Sequence, residues 1–168
     1  YLANFASGGL EKYLKHYRDI TVKDPGNPEG LLGLGLCYLC KGLYPLAQSC
    51  FQKIIENSPE MPQGYYYLAL TLIKGRRIKT ITLNETRQIE SYLSLAIQLG
   101  GNPEYKLLLA MMKRDYYEMN GLKVPPPGAY ELLNEIYGFE ISKNEYEQLV
   151  KSAIVGEPNY FFGKVVIV

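Results

Sequence analysis

Three cysteines and one histidine are the residues best suited to carry chemistry in this chain. Cys37 and Cys40 have the C-x-x-C spacing that is used in redox sites and in half of many zinc sites. A zinc site needs a second pair or nearby histidines, but Cys50 stands alone and His16 lies well upstream. An odd number of cysteines without framework spacing also argues against disulfide staples. We therefore expect structural thiols, no metal and no cofactor, and the free thiols favour a reducing, cytoplasmic compartment.

No residue pattern indicates an active site. Gly30, Gly33 and Gly35 give a glycine-rich stretch, but a phosphate-binding loop needs free N–H groups between a strand and a helix. These glycines lie inside a helical pattern and follow no strand. His16 sits among charged residues on an amphipathic helix, where a surface role is expected. We predict that the chain is not an enzyme.

Composition is that of an ordered domain. The chain has 168 residues, of which 47% are hydrophobic and 21% charged. No apolar run approaches the ~20 residues that span a bilayer, so we expect no membrane insertion. The net charge of +1 gives no bulk attraction to nucleic acid. Because the chain runs from Tyr1 to a β-branched stretch at Val168, we expect a fragment or a processed form.

Two stretches repeat each other at a spacing of 34 residues, a period typical of stacked helical repeats. The matched positions are Pro25, Pro28, Gly30, Leu31, Leu34 and Gly35, followed by Pro59, Pro62, Gly64, Tyr65, Leu68 and Ala69. Asn27 is a good N-cap and Pro28 suits the first helical position. Pro45 can open a second helix after Gly42, so each unit is predicted to be a helical hairpin.

The order of large and small residues in this unit closely resembles the tetratricopeptide repeat family. The matching positions are Leu31, Leu34, Gly35, Tyr38, Ala47, Phe51, Ile54 and Pro59. The resemblance implies an all-α fold, a right-handed solenoid of helical hairpins of about seven to eight helices. It also implies a non-catalytic scaffold that binds a protein or a peptide.

The predicted organisation has two parts. Residues 1–123 form the repeats, with the best unit at 28–61, a second at 62–101 and a partial third at 102–123. The second unit fits only with an insertion at 74–83. Residues 124–168 form a divergent helical pair and a short extended tail, in which Tyr160 to Val168 reads as a strand. Such a strand must pack on the helices, pair with another chain or begin a further domain.

The inner face of each first helix is the groove that the resemblance implies for a partner. The candidate groove residues are Leu32, Leu36, Tyr66, Leu70, Lys74, Leu107, Met111 and Arg114. An apolar strip of this kind suits a hydrophobic or amphipathic peptide. Leu32, Leu36 and Tyr66 stand where a clamp for an acidic chaperone tail would need polar groups, so such a tail is not expected. The alternative is that the C-terminal helices fill the strip.

Three other functions stay open. The chain could be a helical accessory domain of a larger enzyme or chaperone. The run 74–79 carries four cations in six residues and could contact nucleic acid, although a solvated loop is favoured over that role. The extended tail could mediate self-association.

Overall fold

The described part of the computed structural model, residues 9–168, is an all-α fold in which neighbouring helices pack against each other. Its strands β1 (Glu140–Ile141) and β2 (Val166–Ile167) are each two residues long. The nine α-helices of this part are α1 Leu10–Lys23, α2 Pro28–Cys40, α3 Tyr44–Asn57, α4 Pro62–Ile73, α5 Leu83–Leu99, α6 Pro103–Met111, α7 Ala129–Glu135, α8 Lys143–Ser152 and α9 Pro158–Phe162.

The helix starts follow local sequence signals. The Asn27 side chain accepts a hydrogen bond of 2.9 Å from the backbone N–H of Gly30, as expected of an N-cap. Thr82 and Glu85 form a reciprocal capping box at the start of α5, at the end of the predicted insertion. Ser142 caps α8 by accepting from the Glu145 N–H. The helix start predicted at Asn27 and Pro28 is confirmed.

Close helix contacts recur with the 34-residue period. A Cβ atom placed on Gly30 of α2 would lie 2.7 Å from Ile20 of α1. The same contact recurs between α3 and α4, where a Cβ on Gly64 would lie 2.9 Å from Ile54. Both pairs are shifted by 34 residues, so the sequence repeat is also a repeat of packing. A helical-repeat-like arrangement is confirmed for this part of the chain.

The first helix of the third unit ends irregularly. After α6 the backbone widens into a π-helical turn over Met112–Tyr117 and then tightens into a 3₁₀ turn over Glu118–Asn120. Helix α7 follows the proline-rich connection and packs beside α6.

The predicted strand from Tyr160 to Val168 is only partly correct. Residues Pro158–Phe162 form α9, because Pro158 suits the first helical position and the helical turn buries Phe161 completely. Only Val166–Ile167 is extended, and it pairs in parallel with Glu140–Ile141. The tail therefore pairs with its own chain in this structure.

Candidate functional site

Most of the predicted groove is buried. Leu36, Tyr66, Leu70, Leu107 and Met111 are almost completely inaccessible. Helix α8 packs against α4, while β1 and α9 pack against α6, so residues 140–168 (the C-terminal segment) cover the inner face. Of the two arrangements that the sequence left open, the structure has the filled one. Among the other predicted groove residues, Leu32 and Arg114 are half-buried and Lys74 is exposed.

Backbone hydrogen bonds fasten the C-terminal segment beside the end of α4. The N–H of Gly75 donates to the carbonyl of Ser152 at 3.1 Å. The N–H of Ile78 donates to the carbonyl of Ile154, also at 3.1 Å. Gly75 suits this turn because its φ of 64° is in the left-handed region. The insertion predicted at 74–83 therefore holds the segment in place.

Arg114, one of the predicted groove residues, binds the C-terminal segment instead. Its guanidinium pairs with Glu157 at 2.5 Å and with Glu118 at 3.1 Å. It also stacks 3.7 Å from the centre of the Tyr160 ring. The hydrogen bond to Glu157 is the main reason that the pKa of Arg114 is raised. This side chain stays charged, and its guanidinium is engaged by residues of its own chain.

The basic run at 74–79 also has an internal role. Arg76 pairs with Glu85 at 2.8 Å and donates to the carbonyls of Leu72 and Ile73 at the end of α4. These bonds satisfy carbonyls that a helix end leaves open. One of the four cations of the run is thus engaged within the chain.

Acid should weaken this link at a defined pH. The Arg76 hydrogen bond, followed by those of Thr82, lowers the pKa of Glu85 to about 2. The carboxylate therefore contributes stability above its ordinary pKa of 4.5, and that contribution is lost as the pH falls toward 2. We expect Glu85→Gln to be less stable than the parent at pH 7, with the gap closing below pH ~4.5. Urea unfolding between pH 2 and 7 checks this, with the exposed Glu60→Gln as control; a gap that stays constant would contradict it.

The cysteines are placed as packed thiols. Cys37 and Cys50 are buried and Cys40 is half-buried, and all three are free. Burial raises the pKa of Cys37 to about 12 and that of Cys50 to about 11. The reactive thiolate form is therefore strongly disfavoured. Across residues 9–168, no group of three or more His, Cys, Asp or Glu is placed to hold a metal.

An opening remains where the inner face meets the start of α8. It is a pocket of about 200 Å³. Its walls come from α2, α4, the beginning of α6 and the beginning of α8. The lining residues are Leu32, Leu36, Gln63, Tyr67, Asn102, Glu104, Tyr105, Ser142, Asn144 and Glu145. Only Leu32 and Leu36 belong to the predicted groove residues, and we call this opening the inner-face pocket.

The pocket contains the carboxylates of Glu104 and Glu145 and the hydroxyl of Ser142. Glu104 is 5% exposed and accepts a hydrogen bond of 2.9 Å from Asn102. Burial raises the pKa of Glu104, and the nearby charge of Glu145 raises it further. Glu145 accepts a hydrogen bond of 2.6 Å from the Ser142 hydroxyl. Sequence reasoning missed both glutamates as site residues, since each reads as an acidic residue in a first helical turn.

No family model matches the chain, and no curated protein matches it significantly. Within residues 9–168, no helix combines the length and the apolar character needed to cross a bilayer.

Proposed function

We propose that this chain is a non-catalytic protein-binding scaffold of the tetratricopeptide type. In this proposal its hairpins form a right-handed solenoid, the C-terminal segment occupies most of the inner face, and a partner binds at the inner-face pocket. The observation that carries the proposal is the pocket itself, which opens on the face that such repeats use for partners. The 34-residue recurrence of the Gly30 and Gly64 contacts supports the repeat type.

The pocket is favoured over the rest of the inner face because of access. A partner that used Leu70, Leu107 or Met111 would first have to displace the C-terminal segment, since these side chains are fully buried. It would also have to break the Arg114–Glu157 pair and the backbone bonds at Gly75 and Ile78. The half-buried Leu32 and Gln63 are accessible without any such change.

Site-specific photo-cross-linking tests this proposal. A photoreactive phenylalanine analogue at Gln63, which lines the pocket, should give a discrete cross-linked partner in cell extract. The matched control places the same residue at Gln52, an exposed glutamine on α3 that contributes nothing to the pocket. We expect a product from position 63 that is absent from position 52. Identical products from both positions, or none from position 63, would contradict the proposal.

A further inference from the structure

Tyr67 carries a polar group that the fold leaves without a partner. The side chain lines the inner-face pocket and is only 9% exposed. Its ring is held by stacking on Phe51, with the ring centres 5.6 Å apart. Among the hydrogen bonds of residues 9–168, the Tyr67 hydroxyl has none. The hydroxyl is not fully enclosed and reaches the pocket, so a group from outside the chain can form the hydrogen bond that the fold does not provide.

The charges around this hydroxyl have one sign. Glu104 and Glu145 both line the pocket, and none of its described lining residues is a Lys, Arg or His. Neither carboxylate takes part in an ion pair within the described part of the chain. After burial, the nearby charges of Glu145 and Glu104 raise the pKa of Tyr67. Both carboxylates therefore lie near its hydroxyl, with Glu104 buried and Glu145 half-buried.

Helix capping accounts for only part of this arrangement. Glu104 and Glu145 lie in the first turns of α6 and α8, where acidic residues offset the helix dipole. Each carboxylate uses one oxygen toward a local polar group, Asn102 or Ser142. Capping does not require that the two helix starts converge on one opening. Capping also supplies no hydrogen bond to the Tyr67 hydroxyl.

The shape of the pocket suits a long side chain with a cationic end. Its volume of about 200 Å³ is below the ~300–1,000 Å³ typical of sites for drug-sized ligands. Leu32 and Leu36 supply an apolar wall on one side, against which a methylene stem can pack. The carboxylates of Glu104 and Glu145 suit the cationic end, because they can accept charge-assisted hydrogen bonds from it.

We propose that the inner-face pocket binds the ammonium or guanidinium group of a lysine-like or arginine-like side chain. The methylene stem packs on Leu32 and Leu36, and the cationic group lies between Glu104 and Glu145 and accepts no bond itself. It donates to the carboxylates and to the Tyr67 hydroxyl oxygen. The inference rests on the proposed function in so far as a partner protein supplies the cation. A free alkylamine has the same chemistry and is the other possible source.

Titration of the whole chain, followed by backbone amide NMR, tests this inference. The probes are the peptide Gly-Gly-Lys-Gly-Gly with an acetylated N-terminus and an amidated C-terminus, the same capped peptide with neutral norleucine in place of lysine, and butylamine. We expect the lysine peptide to shift amides at the starts of α4, α6 and α8, and the norleucine peptide to leave them unchanged. If butylamine binds with the same affinity as the lysine peptide, the site is assigned to free amines. If the lysine peptide binds more tightly than butylamine, the site is assigned to a protein partner.

Variants distinguish the loss of binding charges from the loss of the folded state. Glu104→Gln with Glu145→Gln should weaken binding of the lysine peptide at least tenfold, because both attractive charges are lost. Tyr67→Phe, which keeps the ring, should weaken it several-fold. Glu147→Gln, an exposed glutamate on the same helix as Glu145, is the matched control and should change nothing. Thermal melts confirm that each variant is folded.

Equal binding of the lysine and norleucine peptides would overturn the inference, as would full binding by the double glutamine variant. Failure of the inference is distinct from failure of the proposed function. Cross-linking from position 63 that persists in the double glutamine variant keeps the scaffold and rejects the cationic ligand. Binding of the lysine peptide without any cross-linked partner keeps the cationic ligand and rejects the scaffold.

Discussion

We expect Lys113→Met to lower the free energy of unfolding by about 3–5 kcal/mol. The ammonium of Lys113 lies 2.9 Å from a carboxylate oxygen of Glu90, and these side chains are only 5% and 14% exposed. The other oxygen of Glu90 accepts a hydrogen bond of 2.9 Å from the hydroxyl of Tyr117. Removing the cation leaves a carboxylate in a poorly solvated position without a compensating charge.

A double variant is the control for this effect. Lys113→Met combined with Glu90→Leu removes both charges, so much of the stability should return. Urea unfolding of the parent, the single variant and the double variant gives the three free energies. A loss below about 1 kcal/mol in the single variant would show that the pair behaves like an exposed ion pair, contrary to its burial.

We expect Phe51→Ala to cost about 3–5 kcal/mol of unfolding free energy. Phe51 is completely buried, and a Cβ atom on Gly35 would lie 2.6 Å from its ring. The chain therefore packs α2 tightly onto α3 at this point, and the truncated side chain leaves a cavity. Because Phe51 also stacks on Tyr67, the variant should loosen one wall of the inner-face pocket.

Phe139→Ala is the matched control, since Phe139 is a phenylalanine with more than half of its surface exposed. Its thermal melt should be close to that of the parent. A melt of Phe51→Ala equal to that of Phe139→Ala would contradict the packing described for α2 and α3.

The helical units could be predicted because their signals are local. Asn27, Thr82 and Ser142 each lie directly before the helix that they cap. The 34-residue period needs only residues within neighbouring units. The structure around Tyr160 is harder to predict, because the local signals conflict. A run of aromatic and β-branched residues favours a strand, while Pro158 and the buried Phe161 favour a helical turn.

The candidate site could not be predicted because it depends on tertiary contacts. Apolar residues such as Leu36 and Leu70 give the same pattern whether a groove is open or filled. Glu104 and Glu145 lie far apart in the chain, and only the packing of α8 against the inner face brings them to one pocket. The cationic run at 74–79 was a stronger sequence signal, yet Arg76 mainly caps its own helix and pairs with Glu85.

Hydrogen–deuterium exchange of the chain with and without its cross-linked partner tests the central claim most directly. The claim is that the C-terminal segment stays on the inner face while the partner binds at the pocket. We expect slower exchange at the starts of α4, α6 and α8 in the complex, and unchanged protection of residues 149–154. Faster exchange across 140–168 on binding would mean that the partner displaces the segment, and would contradict the account.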